Sequence, residues 1–210
     1  MPPALLCAVI ALSPAAEPAL PVVDDAEWAP LREHCLRLMD GLEGLHAPLP
    51  ADTAKALKAL LADQPRDPAA AAVEVQRLLD ARCLLAVTIN PESRVKAVRG
   101  PLAAELRQGE ERVVLVKVQN DGGVTHALAV SGPELTDGRP ADGRWLEAAV
   151  VADAPFAPKL SGRRLEYVAL RLRACEAGKR EATFKFDVGQ GTQDLGFRAE
   201  TPVLFAVRGR

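Results

Sequence analysis

The chain is poor in aromatic residues and has almost no net charge. Phe, Trp and Tyr make up 4% of its 210 residues, and 26 Lys and Arg nearly balance 28 Asp and Glu, which gives a net charge of -2. Proteins that hold single-stranded nucleic acid stack the bases on aromatic rings, and proteins that hold a duplex neutralise its phosphates with clustered cations. Because both features are scarce here, we predict that the protein does not bind nucleic acid.

Histidine is also scarce, and no catalytic or metal-binding motif is present. The three histidines, His34, His46 and His126, are far apart and form no His-x-His or His-Glu-x-x-His pattern. Ser131 and Ser161 each precede a glycine in a turn context, without the strand, turn and helix that surround a Gly-x-Ser-x-Gly nucleophile. The sequence therefore predicts a non-enzyme with no catalytic residue, no metal site, no cofactor-binding residue and no cofactor.

No two cysteines form the Cys-x-x-Cys pair that is typical of zinc or redox sites. If the N-terminal apolar segment with Cys7 is removed as a signal peptide, Cys35, Cys83 and Cys175 remain, and at least one of them has no partner within the chain. A disulfide between Cys83 and Cys175 is compatible with an oxidising compartment. The alternative is that these residues are buried free thiols that pack as small apolar side chains.

Long apolar runs are missing except at the N-terminus. Residues 4–12 are apolar and are followed by small residues and prolines, which has the form of a secretory signal peptide and is too short to span a bilayer. We predict a signal peptide over residues 1–20, export to the periplasm or the extracellular space, and no integral membrane segment after its removal. The first three residues contain no Lys or Arg, so a disordered tail is the alternative.

Residues 24–82 show the spacing of short amphipathic helices. In the first helix, steps of three and four join five residues on one face: Trp28, Leu31, Cys35, Leu38 and Leu42. Asp24 or Asp25 can cap this helix, and Gly41 and Gly44 mark its end. Asp52 can cap a second helix, and Asp67-Pro68 opens a third that ends near residue 82. We predict a small helical segment ahead of the main domain.

After residue 83 the apolar period changes to two, which is typical of strands. Eight strands are predicted, over 84–89, 94–99, 112–119, 126–131, 144–151, 165–173, 179–188 and 201–208. Phe184 and Phe186 fall on the inward side of the seventh, and the Asn-Asp-Gly-Gly turn at 120–123 predicts a hairpin between the third and the fourth. We therefore predict a mainly β fold: an immunoglobulin-like antiparallel β-sandwich of seven or eight strands over residues 84–210, preceded by the helical segment.

A glycine-rich segment at 187–198 lies between the last two predicted strands. Its glycines permit positive φ and close backbone approach, which suits a ligand-binding loop. Without a following Gly-Lys-Ser/Thr it is not a phosphate-binding loop. The candidate binding residues are Gln190, Thr192, Gln193, Asp194 and Arg198. The alternative is that these side chains only satisfy the backbone groups of a connecting loop.

Five phrases of the sequence resemble one known group of proteins. They lie at 89–96, 114–120, 165–167, 178–182 and 187–198, and the last, Asp-Val-Gly-Gln-Gly-Thr-Gln-Asp-Leu-Gly-Phe-Arg, is the most specific. They are similar to the region ahead of the metallohydrolase domain in exported bacterial proteins of the CehA/McbA type. In those proteins the hydrolase domain belongs to the polymerase and histidinol phosphatase superfamily. The resemblance covers residues 67–208. It implies an accessory sandwich, and it implies no catalytic residue at any matching position.

We therefore predict a non-catalytic, exported accessory or interaction module that scaffolds or recruits a protein, an adjacent domain or another macromolecule. One alternative is a fragment of a metal-dependent hydrolase whose catalytic domain lies downstream or in trans. The second alternative is a sandwich that binds carbohydrate or peptide, for which Trp145 and Tyr167 are the only plausible exposed aromatic residues.

Overall fold

The computed structural model describes residues 19–62, 64–136, 143–189 and 199–210. The predicted signal peptide lies outside this part of the chain, apart from residues 19 and 20. Three helices come first: α1 Trp28–Gly44, α2 Ala51–Ala62 and α3 Pro68–Asp80. Ten strands follow: β1 Cys83–Ile89, β2 Val95–Arg99, β3 Glu105–Arg107, β4 Glu111–Asn120, β5 Ala129–Ser131, β6 Leu135–Thr136, β7 Leu146–Val150, β8 Leu165–Ala174, β9 Gly178–Asp187 and β10 Ala199–Arg208. The prediction of a mainly β fold preceded by helices is confirmed.

The helices form where their apolar stripes predict them, but Asp52 lies in the first turn of α2 and not at its N-cap position as predicted. All five residues of the stripe predicted for α1 are buried. The Asp67 side chain accepts a hydrogen bond from the Ala70 amide at 3.0 Å, and Pro68 occupies the first turn of α3. The start of α1 differs from the prediction, because Glu27 occupies the N-cap position and makes no side-chain hydrogen bond there.

The strands form two mixed sheets. Sheet A has six strands in the order β2-β1-β4-β8-β7-β6, and sheet B has four in the order β3-β10-β9-β5. Three strand pairs are parallel: β1 with β4, β3 with β10 and β6 with β7. The prediction of a purely antiparallel sandwich is therefore wrong. The described residues form ten strands, whereas the sequence predicts seven or eight. The two additional strands, β3 and β6, have three and two residues and are too short to produce a period-two signal.

The hairpin predicted between the third and fourth strands is wrong. Its turn exists, but β4 pairs with β1 and β8 in sheet A, whereas β5 pairs with β9 in sheet B. The Asn120 side chain accepts from the Val124 amide at 3.0 Å and donates to the Val124 carbonyl at 2.8 Å. Val124 and Leu128 then enter the core between the sheets, so the chain crosses from one sheet to the other instead of turning back.

The fold has three layers and two apolar cores. The first core lies between the two sheets and contains Phe184 and Phe186, which are fully buried as predicted. The second lies between the helices and the outer face of sheet A, where Leu115 of β4 and Tyr167 of β8 pack among residues of α1 and α3. The helices of residues 24–82 therefore dock on the sandwich, and the β1, β4 and β8 part of sheet A is covered on both faces.

Candidate functional site

The binding loop predicted from the sequence cannot be placed. Gln190, Thr192, Gln193, Asp194 and Arg198 all lie outside the described residues. The two flanking strands, β9 and β10, are the adjacent antiparallel strands at the centre of sheet B. The interpretation of this loop as a binding site stays a prediction.

A buried polar cluster lies between the helical layer and sheet A. Asp80, the last residue of α3, forms an ion pair with Lys117 of β4, with an Oδ2 to Nζ distance of 2.7 Å. The Tyr167 hydroxyl of β8 donates to the other carboxylate oxygen of Asp80 at 2.8 Å. The Lys117 ammonium also donates to the Pro21 carbonyl at 2.7 Å. The cluster thereby joins the N-terminal segment, α3 and two strands of sheet A.

Burial controls the electrostatics of this cluster. The side chains of Lys117 and Asp80 are 3% and 12% exposed. Burial raises the pKa of Asp80, and the hydrogen bonds from Lys117 and Tyr167 oppose that shift. Burial also raises the pKa of Tyr167 well above its usual value. The phenol is therefore a hydrogen-bond donor and not a base at neutral pH.

The cysteine beside this cluster is not activated as a nucleophile. Cys83 is buried, donates weakly to the Leu79 carbonyl at 3.5 Å, and has a raised pKa because of burial and the nearby Asp80 charge. Burial likewise raises the pKa of Cys35 to about 12. A reactive cysteine needs a low pKa and access to solvent, and these two thiols have neither. Cys35, Cys83 and Cys175 are all free, so the pairing of Cys83 with Cys175 does not occur in this structure.

A groove with several titratable groups lies between α1 and the end of sheet A. It measures about 310 Å³ and adjoins a smaller recess of about 80 Å³. His34, Arg37, Ser161 and Glu166 line both. The connection from β7 to β8 is held tightly to α1, because a Cβ at Gly41 would lie 2.5 Å from the Phe156 ring. This close approach explains why Gly41 lies inside α1 and does not end it.

His34 takes the place of a strand partner for β8. Next to β7, the Val151 amide donates to the Ala169 carbonyl at 2.9 Å. Farther along β8, the amide and carbonyl of Tyr167 lie 2.9 and 3.0 Å from His34 Nε2. Burial lowers the pKa of His34 to about 4, so the imidazole is neutral at pH 7.

Glu166 and Ser161 are likewise engaged with the main chain. Each carboxylate oxygen of Glu166 accepts from the Ser161 amide at 2.9 Å, and burial raises the pKa of Glu166. The Ser161 hydroxyl accepts from the Arg163 amide at 3.2 Å, which fits the turn context in which the sequence places it. These groups satisfy backbone atoms at the end of a sheet, which is a structural arrangement and not an acid, base and nucleophile set.

The outer face of sheet B presents a row of exposed apolar residues. Along β10, the outward residues Pro202, Leu204 and Ala206 are exposed, and Leu204 is 63% exposed. Charged pairs border this apolar row: Lys185 and Glu200 lie 2.9 Å apart, and Arg208 and Glu105 lie 3.4 Å apart. On β9 the register partners of Leu204 and Ala206 are Glu181 and Lys179, so charges border the apolar row on this side as well. Apolar residues next to charged groups are compatible with a protein interface.

Neither Trp145 nor Tyr167 provides a carbohydrate platform. Trp145 and Tyr167 are both buried, contrary to the exposure considered from the sequence. Trp145 packs edge-on against Phe205, with 5.8 Å between ring centroids, and Tyr167 lies under the helical layer. The basis for a carbohydrate-binding sandwich is therefore removed.

The described residues contain no group of three or more His, Cys, Asp or Glu side chains that could hold a metal ion. Among the helices found there, none is both long and apolar enough to cross a bilayer.

The sequence analysis missed the cluster of Asp80, Lys117 and Tyr167. One signal was available, because Lys117 is the only charged residue within the apolar run at 113–118. A lysine among valines on a strand has either a solvated outer face or a buried partner, and only the docked helix decides between these.

Comparisons with known proteins add little. No protein-family model matches the chain, and no curated protein matches it. Among solved structures, domains 4 and 5 of the S-layer protein SbsC are similar over 50% of this chain and 47% of that one, with 13% identity and a TM-score of 0.29. Amebosin is similar over 59% of this chain and 96% of its own, with 11% identity and a TM-score of 0.29. The match spans less than half of the S-layer structure, and similarity this low carries no conclusion on fold or function.

Proposed function

We propose that this protein is a non-catalytic, exported accessory module that holds a partner protein or domain against the outer face of sheet B. One observation carries the proposal. The outer face of sheet A is covered along β1, β4 and β8 by the chain's own helices, whereas the outward residues of β10 at the centre of sheet B are exposed. A sandwich that already has two filled cores does not need this second face for its own stability.

The composition of the exposed face supports a protein partner. Its apolar row of Pro202, Leu204 and Ala206 lies beside Thr183, Glu181 and Lys179, which are the register partners of these residues on β9. Glu200 and Arg208 lie at opposite ends of the row, so the rim carries both signs of charge. This arrangement favours a partner with an apolar patch between charged groups, and it disfavours a polyanion.

The non-catalytic part of the proposal rests on what the polar groups already do. Asp80 and Lys117 neutralise each other inside the fold, and His34 and Glu166 bond to main-chain atoms. None of these four groups is left with the partner set of a general base or a nucleophile.

The immunoglobulin-like class is part of the same proposal. In immunoglobulin domains, strands B, E and D are neighbours in one sheet, and strands C, F and G form the other. Here β4, β8 and β7 are neighbours in sheet A, while β5, β9 and β10 are neighbours in sheet B. Taken in chain order, these six strands match that connectivity, and β1, β2, β3 and β6 are additions to it.

The resemblance to the accessory region of CehA/McbA-type proteins supplies a class of partner. It favours a metallohydrolase domain, either in the same reading frame or in a separate chain, as the body that sheet B contacts. The same resemblance and the predicted signal peptide favour an exported location. Under this proposal the metal and the catalytic groups belong to the partner.

Photo-crosslinking tests the docking face. A photoreactive amino acid is placed at position 204 of the full chain in its native host, and at position 98 as a control, because Val98 is 49% exposed but lies on β2 of sheet A. We expect one discrete adduct from position 204 and none from position 98. Identical adducts from both positions, or none from either, would contradict the proposal.

The adduct is then identified by mass spectrometry, and its partner is purified for titration calorimetry. We expect Leu204→Asp to weaken binding at least about tenfold, because a carboxylate would be buried in the apolar centre of the interface. Val98→Asp is expected to leave the affinity unchanged. Turnover of phosphate esters by the purified chain with Mn²⁺ or Zn²⁺ would overturn the non-catalytic assignment and favour the hydrolase-fragment alternative.

A further inference from the structure

A second surface feature, independent of sheet B, lies between the helical layer and the beginning of β4. It is a cleft of about 210 Å³ whose apolar wall includes Leu42, Pro48, Leu49, Leu102 and Val113. Two arginines, Arg82 before β1 and Arg112 on β4, line the same cleft. We call it the two-arginine cleft.

Both arginines line the cleft, and Glu111 is the one carboxylate among its lining residues. Burial lowers the pKa of Arg112, the charge of Arg82 lowers it further, and the charge of Glu105 acts in the opposite direction. The Arg82 side chain makes no hydrogen bond or ion pair with any described residue. Two like charges held beside an apolar wall are costly unless an anion lies between them.

Arg112 is held in position by the main chain. Its Nη1 group donates to the Ala103 carbonyl at 3.1 Å and also to the Glu105 carbonyl. These bonds fix the plane of the guanidinium, while its Nε and Nη2 groups make no hydrogen bond within the described part of the chain. A fixed guanidinium with open donors is suited to binding a carboxylate.

The nearby carboxylates already have other partners. Glu111, which lines the cleft, pairs with Arg171 at 3.1 Å, and Glu105 pairs with Arg208 at 3.4 Å. The charged residues that line the cleft are therefore two arginines and one glutamate, a net charge of one positive unit. This balance favours a ligand with a single negative charge.

We infer that the two-arginine cleft binds a small aliphatic carboxylate, with the carboxylate between Arg82 and Arg112 and the alkyl chain against Leu49 and Val113. The charge comes from the arginine pair, and the preference for an alkyl chain comes from the apolar wall. Octanoate is the probe for this class of ligand, acetate tests the need for the chain, and inorganic phosphate tests whether any anion suffices.

Titration calorimetry on the full chain tests the inference. We expect octanoate to bind at least about tenfold more tightly than acetate or phosphate, and Arg82→Gln and Arg112→Gln each to weaken octanoate binding about tenfold, since each removes a charge-assisted hydrogen bond. Arg77→Gln is the matched control, because Arg77 lies on the exposed side of α3 and pairs with Glu74 at 2.6 Å. It should leave octanoate binding unchanged.

Two further variants keep the test decisive. Leu49→Gln should weaken octanoate binding and leave phosphate binding unchanged, because it alters only the apolar wall. If either glutamine variant fails to fold by circular dichroism, Arg82→Lys or Arg112→Lys replaces it, since lysine keeps the charge and loses the planar donors. No binding of octanoate, phosphate binding as tight as that of octanoate, or octanoate binding that none of the arginine variants changes would each overturn the inference.

Discussion

The two outer faces of the sandwich differ in sequence and in environment. Under the helices, the outward residues of β4 and β8 include Leu115, Tyr167 and Ala169, whereas the outward residues of β9 are mostly charged. Both faces include a lysine paired with a carboxylate. On sheet A the pair is Lys117 with Asp80, under the helices, and the lysine side chain is 3% exposed. On sheet B the pair is Lys185 with Glu200, and the lysine side chain is 38% exposed.

The two lysines show that an outward lysine on a strand does not by itself indicate whether its side of the sheet is covered or bare. The two pairs have nearly equal distances, 2.7 and 2.9 Å. Their energetics should nevertheless differ, because a buried charge that loses its partner is strongly destabilising and an exposed one is solvated by water. The covered face serves stability, and the bare face is available for a partner.

The largest expected effect is the difference in stability between a substitution on the inner side of sheet B and one on its outer side. Phe184→Ala should lower the free energy of unfolding by about 4 kcal/mol, because it leaves a cavity in the core between the sheets. Leu204→Ala on the adjacent strand should change it by less than about 0.5 kcal/mol, since the side chain is already exposed. Urea unfolding followed by circular dichroism measures both. Equal losses would mean that sheet B has no bare face.

The next effect tests the covered face. Asp80→Ala should cost about 3 kcal/mol, because it leaves the Lys117 ammonium buried without its counter-charge. Adding Lys117→Met should recover most of this loss, since the apolar methionine needs no partner. The double-mutant cycle from urea unfolding gives the coupling energy. Additive losses would show that the pair is solvated, and the contrast between the two faces would fail.

Much of the architecture can be predicted from the sequence. All eight predicted strands correspond to observed ones, and the α1 stripe and the Asp67 cap follow from spacing alone. The pairing could not be predicted, because the Asn-Asp-Gly-Gly turn encodes a change of direction and not which sheet the chain enters next. The crossing depends on Val124 and Leu128 filling the core between the sheets.

The polar sites are less predictable than the strands. Tyr167 alternates with core residues as an exposed aromatic would, yet α1 and α3 cover it. Likewise, His34 has no local motif, because its partner is a backbone group 133 residues away in the sequence. Such contacts depend on how one layer docks on another, and no local pattern encodes that geometry.

A pH experiment sharpens the comparison at the covered face. His34 has a folded pKa of about 4 against an ordinary value of 6.5, so the unfolded chain binds more protons between these values. Its stabilising contribution is present above pH 6.5 and is lost as the pH falls to 4. Burial raises the pKa values of Asp80 and Glu166, which has the opposite sign. A comparison with His34→Gln isolates the histidine.

We expect wild type to lose about 2 kcal/mol relative to His34→Gln between pH 7.5 and pH 4, a value reduced from the full shift because the ring is partly exposed. Urea unfolding at intervals across this range measures the difference. A matched variant, His46→Gln, lies in the loop after α1 and should follow wild type at every pH. A constant difference between wild type and His34→Gln would show that His34 titrates as it does in the unfolded chain.

The smallest expected effect is the coupling energy of an ion pair on the outer face of sheet B. Lys185 and Glu200 are directly opposite on β9 and β10, and a double-mutant cycle with Lys185→Ala and Glu200→Ala should give a coupling energy of about 0.5 kcal/mol or less. The reason is that water solvates both charges and salt screens them, so the coupling should fall further in 1 M NaCl, where the buried pair of sheet A should change little. Urea unfolding at low and high salt measures both cycles. A coupling energy on sheet B as large and as insensitive to salt as that of Asp80 and Lys117 would mean that something already covers this face. If the cover is a second copy of the chain, the midpoint of urea unfolding would depend on protein concentration.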